Sequence, residues 1–259
     1  SRRYITILEE RGNHINTGNK IKKCFINFRN NLNNLDIFNQ KECSDKYLES
    51  IVSKCEGNHM SFPVPSVEVL ELIFKDKQRK PFNKTLNTSY RCVQEIVSLL
   101  TELIDHIIED SSIKRFPNFS KLINSIFVND VLLPTVTEIH KILENEIKCQ
   151  NNYIWTEDTK FRESLRNCNK DNYDIIRQLS NQYFEAIMYV LKDIIPKKIM
   201  YFLVLKTQEL LPVKLYDKVK TENPNYLLAE YSEINEKRKN LDKNIKDLEK
   251  AKHLIENIM

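Results

Sequence analysis

Glu102, His106 and Glu109 carry metal-ligating groups and lie within one stripe of a stretch with helical spacing. At about 100° per residue, that stripe is centred nearly opposite the apolar face formed by Val93, Ile96, Leu100, Leu103 and Ile107. Metal sites in helical bundles project inward, so these three residues are expected to form a solvated face and no metal site is assigned. Among His14, His59, His140 and His253, only His59 has a nearby thiol, Cys55, and no second ligand pair accompanies it. No Ser or Cys stands in a recognisable nucleophile signature, which leaves no catalytic residue to name. Basic clusters at Lys20, Lys22 and Lys23, and at Lys75, Lys77, Arg79 and Lys80, read first as solvated surface, although the second can meet anionic lipid.

Nucleotide loops are excluded by arithmetic. The chain has 259 residues but only 3 glycines, Gly12, Gly18 and Gly57, whose spacing fits neither G-x-x-x-x-G-K-[ST] nor G-x-G-x-x-G. With 8 prolines besides, there is too little turn chemistry for many hairpins or short crossover loops, which points to an all-α fold with few, long helices. Hydrophobic residues at 41% and charged residues at 29% are enough for one packed core with a solvated surface. A net charge of +4 is too near balance to indicate a nucleic-acid partner. The six cysteines, Cys24, Cys43, Cys55, Cys92, Cys149 and Cys168, form no C-x-x-C pair and follow no secretory segment, so they are expected to be free thiols in the cytosol. No continuous apolar stretch approaches the roughly 20 residues of a transmembrane helix. Beginning at Ser1 without Met, the sequence is expected to be a piece of a longer protein.

The elements that must carry any site follow from apolar spacing. Residues 21–32 and 47–55 predict short helices, and another begins at Ser66 after Pro63 and Pro65. The residues from Lys75 to Asn83 are largely polar, and the clearest amphipathic face in the first half then runs from Val93 to Ile108. After a turn marked by Pro117, helical spacing continues from Leu122 to Ile147, with Pro134 as a kink or join. Residues 157–172 lack periodicity and are the best loop candidate. A long pattern from Tyr173 to about Lys220 follows, with bends expected at Pro196 and Pro212. Beyond Pro224, Leu227, Tyr231, Ile234, Arg238, Leu241, Ile245, Leu248, Lys252 and Ile255 alternate by four and three, a heptad seam that wants a partner.

Several local words occur in a suggestive order. They are Phe62-Pro63-Val64-Pro65, Tyr90-Arg91-Cys92-Val93, Arg115-Phe116-Pro117, Asn152-Tyr153-Ile154-Trp155-Thr156, the run QYFEAIMYVLKDIIPKKIMYFLV from Gln182 to Val204, and LLAEYSEINEKRKNL towards the end. On these words the chain resembles the stalk of the dynamin superfamily of large GTPases, most closely the dynamin-related proteins of organelle fission. The resemblance runs in order from about Asn16 to Ile258, and the Tyr183 to Val204 word is its most specific part.

The resemblance implies an elongated antiparallel four-helix bundle with a separate C-terminal helix. Residues 1–165 would be the middle-region part of the stalk with its first helix truncated, 166–222 the effector-region helix completing it, and 223–259 the closing helix of the small bundle beside the GTPase domain. Gly57, Asn58, His59 and Met60 would occupy a loop that assembles stalks into rings, with His59 replacing the usual basic residue. Ile199 and Met200 would sit at the central stalk crossing, and Arg238 at the basic position coupling the small bundle to the stalk. The connection from Lys75 to Ser89 is longer than in relatives, and no pleckstrin-homology domain interrupts the chain between Phe161 and Tyr173.

The implied function is mechanical. The chain would be the self-assembly stalk of a GTPase of membrane fission and of organelle or vesicle remodelling, forming dimers and then rings or helices. It would have no enzymatic activity or cofactor of its own, with GTP and Mg bound by a GTPase domain outside this sequence. It would be cytoplasmic, peripheral on organelle or vesicle membranes, and would touch the membrane indirectly, through Lys75, Lys77, Arg79 and Lys80, with no nucleic-acid partner. The alternative is a stand-alone helical module that binds or tethers membranes through its Lys-rich faces.

Overall fold

The computed structural model describes residues 17–35, 43–56, 66–76, 82–166 and 173–256, and all the regular structure among them is helical. The helices are α1 (Thr17–Asn33), α2 (Asp45–Glu56), α3 (Ser66–Lys75), α4 (Asn83–Asp110), α5 (Pro117–Ser125), α6 (Leu133–Asn152), α7 (Thr159–Arg166), α8 (Tyr173–Ile199), α9 (Lys206–Thr221), the single turn α10 (Pro224–Leu227) and α11 (Ser232–Glu256). A 3₁₀ turn, Ser112–Arg115, follows α4, and two π-helical segments, Ile126–Leu132 and Met200–Leu205, join α5 to α6 and α8 to α9.

The chain divides into two compact units. One comprises Ser1–Leu100 and Pro134–Thr207, the other Thr101–Leu133 and Gln208–Met259. In the first, α8 buries Ile176, Leu179, Tyr183, Ile187, Leu191, Ile195 and Ile199 at steps of three and four, the stripe that turns a long helix into a core. Phe74 of α3 meets the Tyr183 ring edge-on at 4.9 Å, Phe82 stacks on Phe184 at 5.2 Å, and Phe161 of α7 closes on Tyr183 at 5.3 Å. Each fully buried aromatic contributes about 2–3 kcal/mol, whereas an exposed ion pair contributes about 0–1, so this cluster outweighs the surface charges in fixing the unit. In the second unit Ile123, Ile126, Phe127, Val131 and Leu227 are buried, and the Asn118 side-chain amide donates to the Tyr226 carbonyl at 2.9 Å.

Two segments are helical without an apolar stripe, one in a connection whose conformation the sequence left open and one where a loop was expected. Residues 83–89, within the connection from Lys75 to Ser89, are helical: α4 begins at Asn83 and buries Thr85 and Ser89. Their hydroxyls are satisfied, Ser89 donating within its own helix to the Thr85 carbonyl at 2.7 Å and Thr85 donating across to the Met188 sulfur of α8 at 3.3 Å, so polar residues face inward without an apolar signal. Residues 159–166, expected in a loop, form α7, started by Asp158 accepting from the Phe161 amide at 2.8 Å and anchored by Phe161 alone.

Pro134 acts as a join. A proline there removes the amide that would bond the Asp130 carbonyl and crowds that oxygen. The widened turns of Ile126–Leu132 end just before it, with the Leu133 amide donating five residues back to Val128. Pro196 and Pro212 lie inside α8 and α9, and the second π segment begins four residues beyond Pro196. The helical run Pro117–Asn152 is long and apolar enough to cross a membrane by length and average composition, although no continuous apolar stretch within it marks it. It buries Ile126, Phe127, Val131, Ile139, Leu143 and Ile147 within its own chain, the pattern of a core helix.

Candidate functional site

The face of α8 opposite the core is not uniformly polar. Tyr189 is 79% exposed, Val190 is exposed beside it, and Tyr201, in the π segment that continues α8, is 62% exposed. Asp193 and Lys197 fill the same ridge at steps of four and pair with one another. Hydrogen bonding from Lys197 holds the Asp193 carboxyl below the usual carboxylate range, and Arg29 of α1, 4.0 Å away, acts in the same direction. Leu205 extends the exposed row by one more step. An aromatic-rich surface with a self-compensating ion pair at its middle is chemically suited to protein contact.

The ridge is held rigid from behind. Lys198 pairs with Glu146 and Lys206 with Glu138 at 2.5 Å, fastening the α8 side to α6. On α4 and α6, the Tyr90 hydroxyl donates to Glu144 at 2.8 Å and its ring lies 4.5 Å from that of His140. Burial, together with the Glu144 carboxylate, pushes the Tyr90 phenol up to about 12. Burial also lowers His140, against a smaller opposing pull from Glu144, and the His140 Nε2 atom is buried without a hydrogen-bond partner. Arg177 of α8 is buried, donates to the Cys43 carbonyl at 2.7 Å and pairs with Asp45 and Asp174, which fixes the start of α2 against α8.

The expected site residues fall in different places. Ile199, expected at the stalk crossing, is fully buried among the core positions of α8, where its side chain packs within one copy. Met200, next to it, is half-buried at the edge of the exposed ridge. Arg238 of α11 is exposed and pairs with Glu230 at 2.8 Å; the Glu230 side chain is only 8% exposed and also lies 3.8 Å from Arg115. Lys75 pairs with Glu71 at 2.7 Å. Gly57, Asn58, His59, Met60, Lys77, Arg79 and Lys80 lie outside the described residues. His106 pairs with Asp110 at 3.0 Å on the α4 surface, and Glu102 and Glu109 are exposed. Among the described residues no three His, Cys, Asp or Glu side chains converge on a metal-sized site.

Sequence reasoning missed Tyr189 and Tyr201. Their signal was available: both fall at steps of four from Asp193 and Lys197, on the polar side of a helix whose other side is mostly apolar.

The family follows from comparison of the whole chain with known protein families. Residues 3–170 match the dynamin central region, and residues 169–258 match the dynamin GTPase effector domain. The chain belongs to the dynamin superfamily. Together these two regions build the superfamily's self-assembling stalk, so the α8 ridge lies in the dynamin effector region and α6 and α7 in the central region. Neither matched region is a GTPase domain. No curated protein matches the chain.

Proposed function

We propose that this dynamin stalk dimerises crosswise through the exposed ridge of α8 and then polymerises into rings or helices that remodel organelle or vesicle membranes. The observation that carries the reading is the row of exposed Tyr189, Val190 and Tyr201 on the effector-region helix, backed by the aromatic core. Stable protein interfaces bury about 1,600 Å² around an apolar centre, and exposed aromatics supply such a centre at low entropic cost. GTP and Mg belong to a GTPase domain outside this sequence, and the stalk's part is to transmit motion. Contact with the cytoplasmic face of the membrane is a property of the polymer in this reading. Lys75, the described member of the expected lipid-binding cluster, is already paired with Glu71.

Sedimentation velocity over a concentration series tests this. The chain is expected to self-associate, and Tyr201→Asp to weaken association by roughly tenfold or more while leaving the melting temperature unchanged. A chain that stays monomeric at all concentrations overturns the reading. GTP hydrolysis by the chain alone is expected to be nil.

A further inference from the structure

The α8 ridge has an internal symmetry that the self-assembly reading does not require. Counted from the level of Ile195, Asp193 and Lys197 lie two residues to either side, Val190 and Met200 five, and Tyr189 and Tyr201 six. Ile195 itself is fully buried, so the centre of this pattern falls on the solvent side of the helix, between Asp193 and Lys197. Reversing the direction of the ridge exchanges an aromatic with an aromatic, an aliphatic with an aliphatic, and an acid with a base.

That is the pattern of a surface complementary to itself under a two-fold axis, where residue i of one copy meets residue j of the other and j meets i. We infer that a second copy of this chain docks antiparallel on the ridge about an axis between Asp193 and Lys197, placing each copy's Asp193 against the other's Lys197 and each Tyr189 against the other's Tyr201. The inference rests on the self-assembly reading and adds its register.

Charge selects this register over its neighbours. Slipping the antiparallel pair by one turn sets Asp193 against Asp193 in one direction and Lys197 against Lys197 in the other, and a parallel pair brings both like-charged contacts at once. In the chosen register the two intrachain pairs and two interchain pairs make four charges of alternating sign, a network rather than an isolated surface bridge. Steps of four also set the crossing: two i±4n ridges interlock at about −50°, so the copies cross instead of lying side by side, and contact stays within about two turns of the centre.

Complementation between two charge variants tests whether Asp193 and Lys197 face the other copy's charges at all, the first requirement of the register. Asp193→Lys gives a ridge with two lysines and Lys197→Asp one with two aspartates, so each alone is expected to dimerise about tenfold more weakly than the unaltered chain. An equimolar mixture is expected to recover association close to the original, because every contact across the axis then joins Lys to Asp. Neither variant retains the pair within its own helix, so the recovery cannot come from repair inside one chain. A mixture no stronger than its components, with the unaltered chain still dimerising, overturns the register and leaves the self-assembly reading intact. An unaltered chain that is monomeric overturns both.

Disulfide mapping gives a second readout that does not depend on the charge variants. A mixture of Tyr189→Cys and Tyr201→Cys chains, oxidised and digested, is expected to yield the 189–201 linkage by mass spectrometry, above any linkage each forms alone. Its absence from a dimeric mixture overturns the register.

Discussion

Arg177 and His140 show two ways in which a polar side chain is held in the core. Arg177 is buried but serves three acceptors, one of them the Cys43 carbonyl, while its two carboxylate partners remain exposed to water. Its loss strands one carbonyl and frees two solvated acids, so Arg177→Met is expected to cost about 1–3 kcal/mol in urea unfolding. His140 has a buried nitrogen with no partner, and burial lowers it from the ordinary value of 6.5. As pH falls through 6.5 the unfolded chain takes up the proton before the folded one does, so stability declines on the acid side of neutrality. The melting temperature is expected to drop between pH 7.5 and 5, and His140→Phe, which keeps a ring against Tyr90, to flatten that part of the curve. Equal slopes in the two proteins would show that His140 does not set it. Neither residue was legible beforehand: an Arg or a His on a helix declares nothing until its neighbours from α2 or α4 are known.

Among the elements, α8 and α9 were legible together as a long apolar pattern with one proline in each, but the division of labour within α8 was not. The resemblance pointed to Ile199 as a crossing residue, yet the helix rotates that side chain into the core and leaves Tyr201 outside. Ile199→Asp is therefore expected to destabilise the fold by about 3 kcal/mol or more, with loss of the cooperative thermal transition. Tyr189→Asp, by contrast, should change association alone, as judged by sedimentation beside a thermal melt. The first turns of α4 and all of α7 were hidden because Thr85, Ser89 and Phe161 carry their packing without an apolar stripe. The face from Val93 to Ile108 was legible because Val93, Ile96, Leu100 and Ile108 are buried at helical steps, although Ile107 turns outward. Pro134 announced the first π segment. The second follows Pro196 by four residues, where the sequence predicted only a bend.

At the scale of the whole chain, all-α character followed from the scarcity of glycine, and the order of local words pointed to the family. The two compact units did not follow, because each is assembled from stretches far apart in sequence. The heptad seam of α11 was legible and is laid bare, with Leu241, Ile245 and Leu248 exposed and helix start held through Glu230 between Arg115 and Arg238. A helix whose described apolar side chains are all exposed opens easily, so amide exchange is expected to be fast in Ser232–Glu256 and slow in Tyr173–Ile199. Equal protection in both, measured by mass spectrometry, would mean that α11 is covered in solution.

Trp155 is the only tryptophan of the chain, 62% exposed, and its backbone amide donates to the hydroxyl of the buried Tyr183 at 3.4 Å. Its indole therefore stands in water on a backbone that the core holds still. Intrinsic fluorescence should show red-shifted emission in the native protein and little change on unfolding, which makes it a poor probe of denaturation. The same indole is a sensitive label-free reporter of anything that settles over the end of α6, because only occlusion can move its emission to the blue.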